Sequence, residues 1–283
     1  MCRRVMNLAF TEYRRFFSVK KLMIMAFSFI LLYEDVVLKM INLSKELGFP
    51  LNKVEPYDLL LSYNIHAMII PLSFMFLIQG FPEYSTSSYY HISRMSRREW
   101  LAGETIYAVM IATTYEILLL AGTLLAMAGT GTWSTEWSPY MKELFYECPL
   151  EFETNNQLFM DASTVSQGNP VFVCFFSSML MIIYMMVIAQ VLMFFNMKNM
   201  KKIGFIISMV IIIAGSAAVE FQGNVKWFFP MAHAMYGTHF NGFAREPVME
   251  IYKSIIYFGI IAAVMLVLNS GMVKKISIGD SDI

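Results

Sequence analysis

The stretch VFVCFFSSMLMIIYMMVIAQVLMFF, residues 171–195, decides the fold. It runs its whole length without one acidic or basic side chain. A helix needs roughly 20 apolar residues to cross the hydrocarbon core of a bilayer, and this block exceeds that. It is too long for a barrel strand and lacks the two-residue alternation of one. Five further blocks read the same way, at 22–40, 59–81, 105–128, 203–219 and 254–273. The chain as a whole is 57% hydrophobic with a mean hydropathy of +0.55. Soluble domains hold about 45–50% apolar residues, so the excess is what the blocks account for. The expected fold is all-α and integral to a membrane, with six transmembrane helices. Glu34 and Asp35 interrupt the first of them.

Lys and Arg set the expected orientation. Arg3, Arg4, Arg14, Arg15, Lys20 and Lys21 precede the first block. Arg94, Arg97 and Arg98 lie between the second and third, Lys198, Lys201 and Lys202 between the fourth and fifth, and Lys274 and Lys275 after the sixth. The alternate connections carry half as many basic residues in far more chain. The basic set is therefore expected in the cytoplasm, with both termini. Residues 129–170 and 221–252 then form outer segments, and 274–283 a cytoplasmic tail. The segment 129–170 is acidic, with Glu136, Glu143, Glu147, Glu151, Glu153 and Asp161 against Lys142.

Several classes are excluded. The formal net charge is zero, which gives no reason to expect a nucleic-acid partner. Residues 1–21 carry charges throughout and lack a short apolar core with a cleavage site, so no signal peptide is expected. Cys2, Cys148 and Cys174 have neither metal spacing nor a disulfide framework. Cys148 is expected as a free thiol, with pairing to a second copy as the alternative. No G-x-x-x-x-G-K-[ST] loop occurs, so this chain is not expected to bind ATP itself.

Two segments carry local patterns. On a helical wheel Val5, Met6, Leu8, Ala9, Phe10, Tyr13, Phe16 and Phe17 share one side, opposite Arg4, Asn7, Thr11, Arg14, Arg15 and Ser18. Residues 1–21 therefore form an amphipathic interfacial helix. It serves as an anchor for the first span or as an elbow beside a docked partner. Residues 82–104 begin Ser/Tyr-rich and turn basic at Arg94, Arg97 and Arg98. Ser96 has Glu99 at the capping-box position of a short helix. Such a helix anchors the loop, or couples it to a subunit below.

These residues carry a resemblance. An amphipathic N-terminal helix precedes six spans, Ser96-Arg97-Arg98-Glu99-Trp100-Leu101-Ala102-Gly103-Glu104 leads into the third, and an aromatic, Pro-containing outer segment separates the last two. The chain resembles the type-2 (ABC-2) family of ATP-binding-cassette exporter permeases, nearly throughout in architecture and in motif over 94–104. Among them it looks most like Gram-positive peptide, toxin and bacteriocin exporters. The resemblance implies a multi-pass permease of a bacterial plasma membrane, working as a homodimer or with a related permease. It implies a separate ATPase subunit that holds ATP and Mg, while this chain binds no cofactor and is no enzyme. Coupling to that subunit would fall to Arg94, Ser96, Arg97, Arg98, Glu99, Lys198, Lys201 and Lys202. The elbow would be Arg4, Phe10, Arg14, Arg15 and Phe16. Residues 129–170 exceed the short loop usual in such permeases, which points to an outer gate or partner surface.

Aromatics gather in 221–252, with Trp227, Phe228, Phe229 and Pro230 together. They form an interfacial belt or, by the resemblance, short re-entrant helices at an extracellular gate. Ionisable groups inside spans are functional candidates. Counting about 1.5 Å per residue puts Glu34, His66 and Glu116 at nearly one depth. His66 is expected to pair with Glu116 or Glu34, either to lower the cost of burial or as a polar constriction on the path. Asp35 and Lys39 have ion-pair spacing. The 25 methionines fill spans or line an adaptable cavity. Two other functions compete with export. One is a proton-coupled secondary transporter using Glu34, His66 and Glu116. The other is an intramembrane enzyme, against which stands the lack of HExxH and of a second intramembrane histidine.

Overall fold

The computed structural model describes residues 2–48, 50–83, 94–142, 165, 168–221, 223–240 and 247–274. Within them the chain is helical, and β pairing is confined to isolated bridges at Asn52–Thr132 and Phe240–Pro247. The helices are α1 (Cys2–Phe16), α2 (Val19–Leu32), α3 (Leu38–Leu47), α4 (Glu55–Ser62), α5 (Asn64–Leu77), α6 (Arg97–Ala126), α7 (Pro170–Met197), α8 (Lys201–Glu220), α9 (Pro230–Ala234) and α10 (Ile251–Val273). Four of them, α6, α7, α8 and α10, are long and apolar enough to cross a membrane. A fifth crossing results if α4 and α5 count as one. This is the build of an all-α membrane protein.

The first expected span is helical but not regular. A π-helical turn, Tyr33–Val37, joins α2 to α3 and contains both Glu34 and Asp35. A π turn carries one residue more than an α turn and so rotates the side chains that follow. Val36 and Val37 stay buried, while both acids face outward.

The second expected span breaks at Tyr63. There α4 meets α5 at a bend of 84°. Tyr63 is extended, with φ −85° and ψ 125°, so the helix cannot continue through it. As a result α4 turns into the protein, and all eight of its residues are buried. The third helix starts earlier than expected. Ser96 does make a capping box, receiving the Glu99 amide on its hydroxyl while the Glu99 carboxylate accepts from the Ser96 backbone. That box opens α6 itself, which runs unbroken from Arg97, in place of a separate short helix. Glu104 consequently lies inside α6 and is buried. Residues 84–93 of the expected coupling segment lie outside the described residues, as do Cys148 with most of 143–167, residues 241–246 and the tail after Lys274.

Contacts sort the helix ends into two groups. Lys21 pairs with Glu83 at 2.8 Å, Asn196 donates to the Phe81 carbonyl at 2.7 Å, and Arg97 donates to the Lys274 carbonyl. These join the start of α2, the segment after α5, the start of α6, the end of α7 and the end of α10. At the other end, Asn64 donates to Glu220 at 2.6 Å and Trp137 donates to the Gly168 carbonyl at 2.7 Å. The methionines mostly fill the core between, with Met40, Met75, Met181, Met185, Met193 and Met231 fully buried.

Helix α1 packs on the first half of α6. Leu8 sits over Gly103, where an added Cβ would lie 2.6 Å from Leu8 Cδ2. Phe16 packs edge-on against Tyr107, and Tyr13 shares a 2.8 Å hydrogen bond with Thr114. The apolar face divides accordingly. Val5, Leu8, Ala9 and Phe16 are buried, while Phe10 and Phe17 remain exposed because they flank the contact line. Gly103→Leu should therefore push α1 off α6. Overpacking costs about 1–3 kcal/mol. Trypsin should cut after Arg14 and Arg15 about fivefold faster or more, and Leu8→Ala on that background should restore protection. Unchanged cleavage of Gly103→Leu would show that the contact does not hold α1.

Candidate functional site

The sequence of α4, Glu55-Pro56-Tyr57-Asp58-Leu59-Leu60-Leu61-Ser62, explains its start. Pro56 fits the first turn, where a missing N–H costs nothing, and the acids favour the positive helix N-terminus. Glu55 is held from two sides. Its Oε2 accepts from the Asn52 amide at 3.1 Å and its Oε1 from the Ser138 amide at 2.5 Å. Asn52 in turn donates to the carbonyls of Ser134 and Glu136 at 2.8 and 2.9 Å. Two connections, 48–54 and 131–138, are thus stitched together over the buried helix.

Deeper in, Tyr57 donates to Glu116 Oε1 of α6 at 2.7 Å and lies 3.0 Å from the Ser178 hydroxyl of α7. Glu116 is 2% exposed and Asp58 is fully buried. Among the described residues neither oxygen of Asp58 has a hydrogen-bond partner, nor does Glu116 Oε2. An unpartnered ionised carboxylate costs several kcal/mol in a dry interior. A proton, a cation or water must therefore accompany these groups. A helix turned into the bundle, carrying two acids and a tyrosine and meeting a third acid on α6, is the strongest functional candidate among the described residues.

The expected trio does not form. His66 bonds to Asp35, with Nε2 to Oδ2 at 2.5 Å, and not to Glu34 or Glu116. The bend at Tyr63 is one reason: α5 begins at Asn64, so His66 lies in its first turn, well away from mid-span. The π turn is the other, because it brings Asp35 to His66 and leaves Glu34 exposed. The expected local pair does form, Lys39 to Asp35 at 2.5 Å. His66, Asp35 and Lys39 make a rim cluster, separate from Glu116.

No family model matches this chain, and no curated protein and no solved structure matches it either.

Of the residues expected to couple to a partner, Arg94, Ser96, Arg97, Arg98, Lys198, Lys201 and Lys202 are exposed at one end of the bundle. Glu99 is spent on the capping box, and Lys198 sits over the Phe194 ring at 4.5 Å. Of the elbow set, Arg4, Phe10, Arg14 and Arg15 are exposed and Phe16 is buried. Sequence reasoning missed a charged group beneath α1: Glu12, Arg15, Lys21, Glu83 and Glu104 line one small recess. Burial raises the Glu12 carboxyl above its usual range, and Arg15 partly opposes that.

The segment between α8 and α10 forms short helices at Asn224–Phe228, Pro230–Ala234 and Gly237–His239. The second and third are buried, and Met231 packs on Gly215 of α8, where an added Cβ would come within 2.8 Å. Phe228 is 80% exposed, while Phe229 is half-buried. Trp227 lies across two histidines, 5.3 Å from His233 and 5.5 Å from His239. Those histidines flank Ser254 of α10, each with a ring nitrogen 2.7 Å from its hydroxyl. His233 gives its other nitrogen to the Trp227 carbonyl at 2.9 Å, and His239 gives its other to the Met235 carbonyl at 2.9 Å. Each neutral ring thus spends its one N–H on a carbonyl. One hydroxyl hydrogen is left for two ring nitrogens, so the chain is a proton short. Burial acts against adding that proton: it lowers both histidines, His239 to about 4.

Proposed function

We propose that this chain is the membrane-spanning permease subunit of an exporter whose ATPase is a separate polypeptide docking at the arginine-bearing end. The observation that carries the reading is charge segregation. Arg97, Arg98, Lys201, Lys202 and Lys274 belong to three different parts of the chain, yet they gather at one end of the bundle. The amphipathic α1 lies beside them on α6. The cargo would be hydrophobic or amphipathic, such as a peptide or toxin. The permease would pair with a second copy or a related chain in a bacterial plasma membrane, with the basic end in the cytoplasm. The test is co-purification of the chain from its native membrane. An ATPase should be recovered with the wild type and lost with Arg97→Glu/Arg98→Glu, while the variant still inserts and stays folded. Recovery of no ATPase with either protein would end this reading.

A second reading has its own observation, the unpartnered carboxyl oxygens of Asp58 and Glu116. In a proton-coupled transporter these would carry the proton, with Tyr57 between Glu116 and Ser178. Glu34 and His66 drop out of that route. Proteoliposomes under an imposed pH gradient separate the two: proton uptake lost in Glu116→Gln but kept in His66→Ala supports the second reading.

A further inference from the structure

A cavity of about 350 Å³ opens between the end of α5, the end of α7 and the start of α8. Its lining mixes two chemistries. Lys201, Lys202, Asn196 and Gln79 are polar, while Leu192, Phe205 and Ile206 form an apolar wall. No methionine lines it.

Three features at the polar side point to a phosphate. Helix α8 begins here, and the first amides of a helix have no intrahelical acceptor. Met200 at the cap offers no side-chain acceptor in their place. Helix N-termini favour anions for that reason and through the helix dipole. Lys201 and Lys202, on the first turn, are exposed and make no salt bridge among the described residues.

A further group in the same cavity asks for a donor. Asn196 is 2% exposed. Its Nδ2 is fixed by the Phe81 carbonyl at 2.7 Å, which settles which end of the amide is nitrogen. Its Oδ1 has no partner among the described residues. The site that pins it is rigid: Asn199 takes φ +57° in the turn from α7 to α8, and Gly204 lies so close to Phe195 that an added Cβ would come within 2.5 Å. A buried amide oxygen left bare is costly, so an occupant that donates to it is favoured.

The apolar wall continues past the cavity. Ile206, Met209, Val210 and Ile213 are exposed in sequence along α8, at 58%, 38%, 57% and 42%. They make a track leading away from the lysines, and the cavity itself lies at the end of the bundle where basic groups collect.

We infer that this cavity is a binding site for a phospholipid whose phosphate rests on Lys201, Lys202 and the start of α8, whose headgroup hydroxyl or ammonium donates to Asn196 Oδ1, and whose acyl chain follows Ile206 to Ile213. A free phosphate shares the first contact but neither the second nor the third. Lys201 and Lys202 also belong to the basic end of the export reading, and lipid retention by the isolated chain is read without any ATPase, so the two can fail separately.

The test is native mass spectrometry of the full chain released from detergent micelles doped with one defined lipid. Wild type should retain phosphatidylglycerol, and Lys201→Gln/Lys202→Gln should retain about thirtyfold less, since each basic residue near an anionic lipid is worth about fivefold. Both lysines are exposed, so the variant keeps its fold. Phosphatidylmethanol has the same charge but no headgroup donor, and should bind more weakly than phosphatidylglycerol to wild type. Millimolar inorganic phosphate should not displace the lipid. Equal retention by wild type and the lysine variant would overturn the site. Full displacement by inorganic phosphate would assign the site to the free anion instead and overturn the lipid. Equal binding of the two lipids would overturn the role of Asn196.

Discussion

Asp58→Asn should raise the melting temperature of the purified protein by roughly 3–10 °C, while Glu55→Gln, three residues earlier on the same buried helix, should lower it. The opposite signs follow from their partners. Glu55 accepts two backbone amides, from Asn52 and Ser138, so a carboxylate there is stabilised by charge-assisted bonds. An amide in its place turns an N–H toward an N–H and leaves a buried donor unmet. Among the described residues Asp58 has no such partner at either oxygen. Whether the buried acid is ionised or holds a proton, keeping it there costs stability at neutral pH, and an amide removes that cost while breaking no hydrogen bond among the described residues. A chain that keeps so costly a side chain at full burial spends stability on something other than packing. Under the proton-coupled reading proposed above, proton uptake should accordingly fall at least about tenfold in Asp58→Asn and in Glu116→Gln. Thermal melts in detergent, with transport on the same preparations, would decide it. If Asp58→Asn melted lower, as Glu55→Gln should, Asp58 would be a structural group and α4 would lose its functional reading.

How much of this could be read beforehand varies by element. The long crossings were plain, because 105–128, 171–195, 203–219 and 254–273 are uniform apolar blocks and the structure has helices over each. Local caps were plain too: Ser96 and Glu99 form the box their spacing implied. The bend at Tyr63 was not visible, since Ser62-Tyr63-Asn64 holds neither proline nor glycine and hydropathy averages across it. A signal did exist two turns earlier. Glu55-Pro56 followed by Asp58 is the pattern of a helix start. Taken at its word, it begins a helix before the apolar block and carries two acids in with it. The spacing offers Asp35 only as a local partner of Lys39, and a π turn at Glu34-Asp35 is what hands it to His66. Depth counted along a straight helix fails wherever the helix is bent or padded, and both faults fell on the same candidate trio. The histidine pair around Ser254 was out of reach for a different reason. His233 and His239 sit on two short elements and Ser254 on α10, and their meeting depends on how 224–239 folds back against α8 and α10.

That pair gives the second large effect, a loss of stability on mild acidification. Burial is the main cause that lowers His239 to about 4, with His233 and Lys226 adding to it, while the Met235 and Tyr236 carbonyls oppose it. Burial lowers His233 too, and the Trp227 carbonyl opposes it. An unfolded histidine titrates near 6.5. With the folded value depressed, the neutral form belongs to the folded state, and the unfolded state takes up protons first as pH falls. The contribution is therefore complete above about pH 6.5 and is lost between there and about pH 4, on the order of 3 kcal/mol for His239. This contribution should stay flat from pH 8 to pH 6.5 and then decline. Carboxyl groups titrate over part of the same range, and those raised by burial, such as Glu12, act with the opposite sign, so the difference between proteins is what counts. His239→Asn keeps a donor for the Met235 carbonyl but cannot be protonated, and its curve should be shallower than wild type between pH 6.5 and pH 4. Ser254→Ala should lower stability at every pH, because both ring nitrogens lose the hydroxyl between them. Parallel curves for wild type and His239→Asn would mean that the missing proton is already in place at neutral pH, with hydrogen bonding stronger than burial at this site.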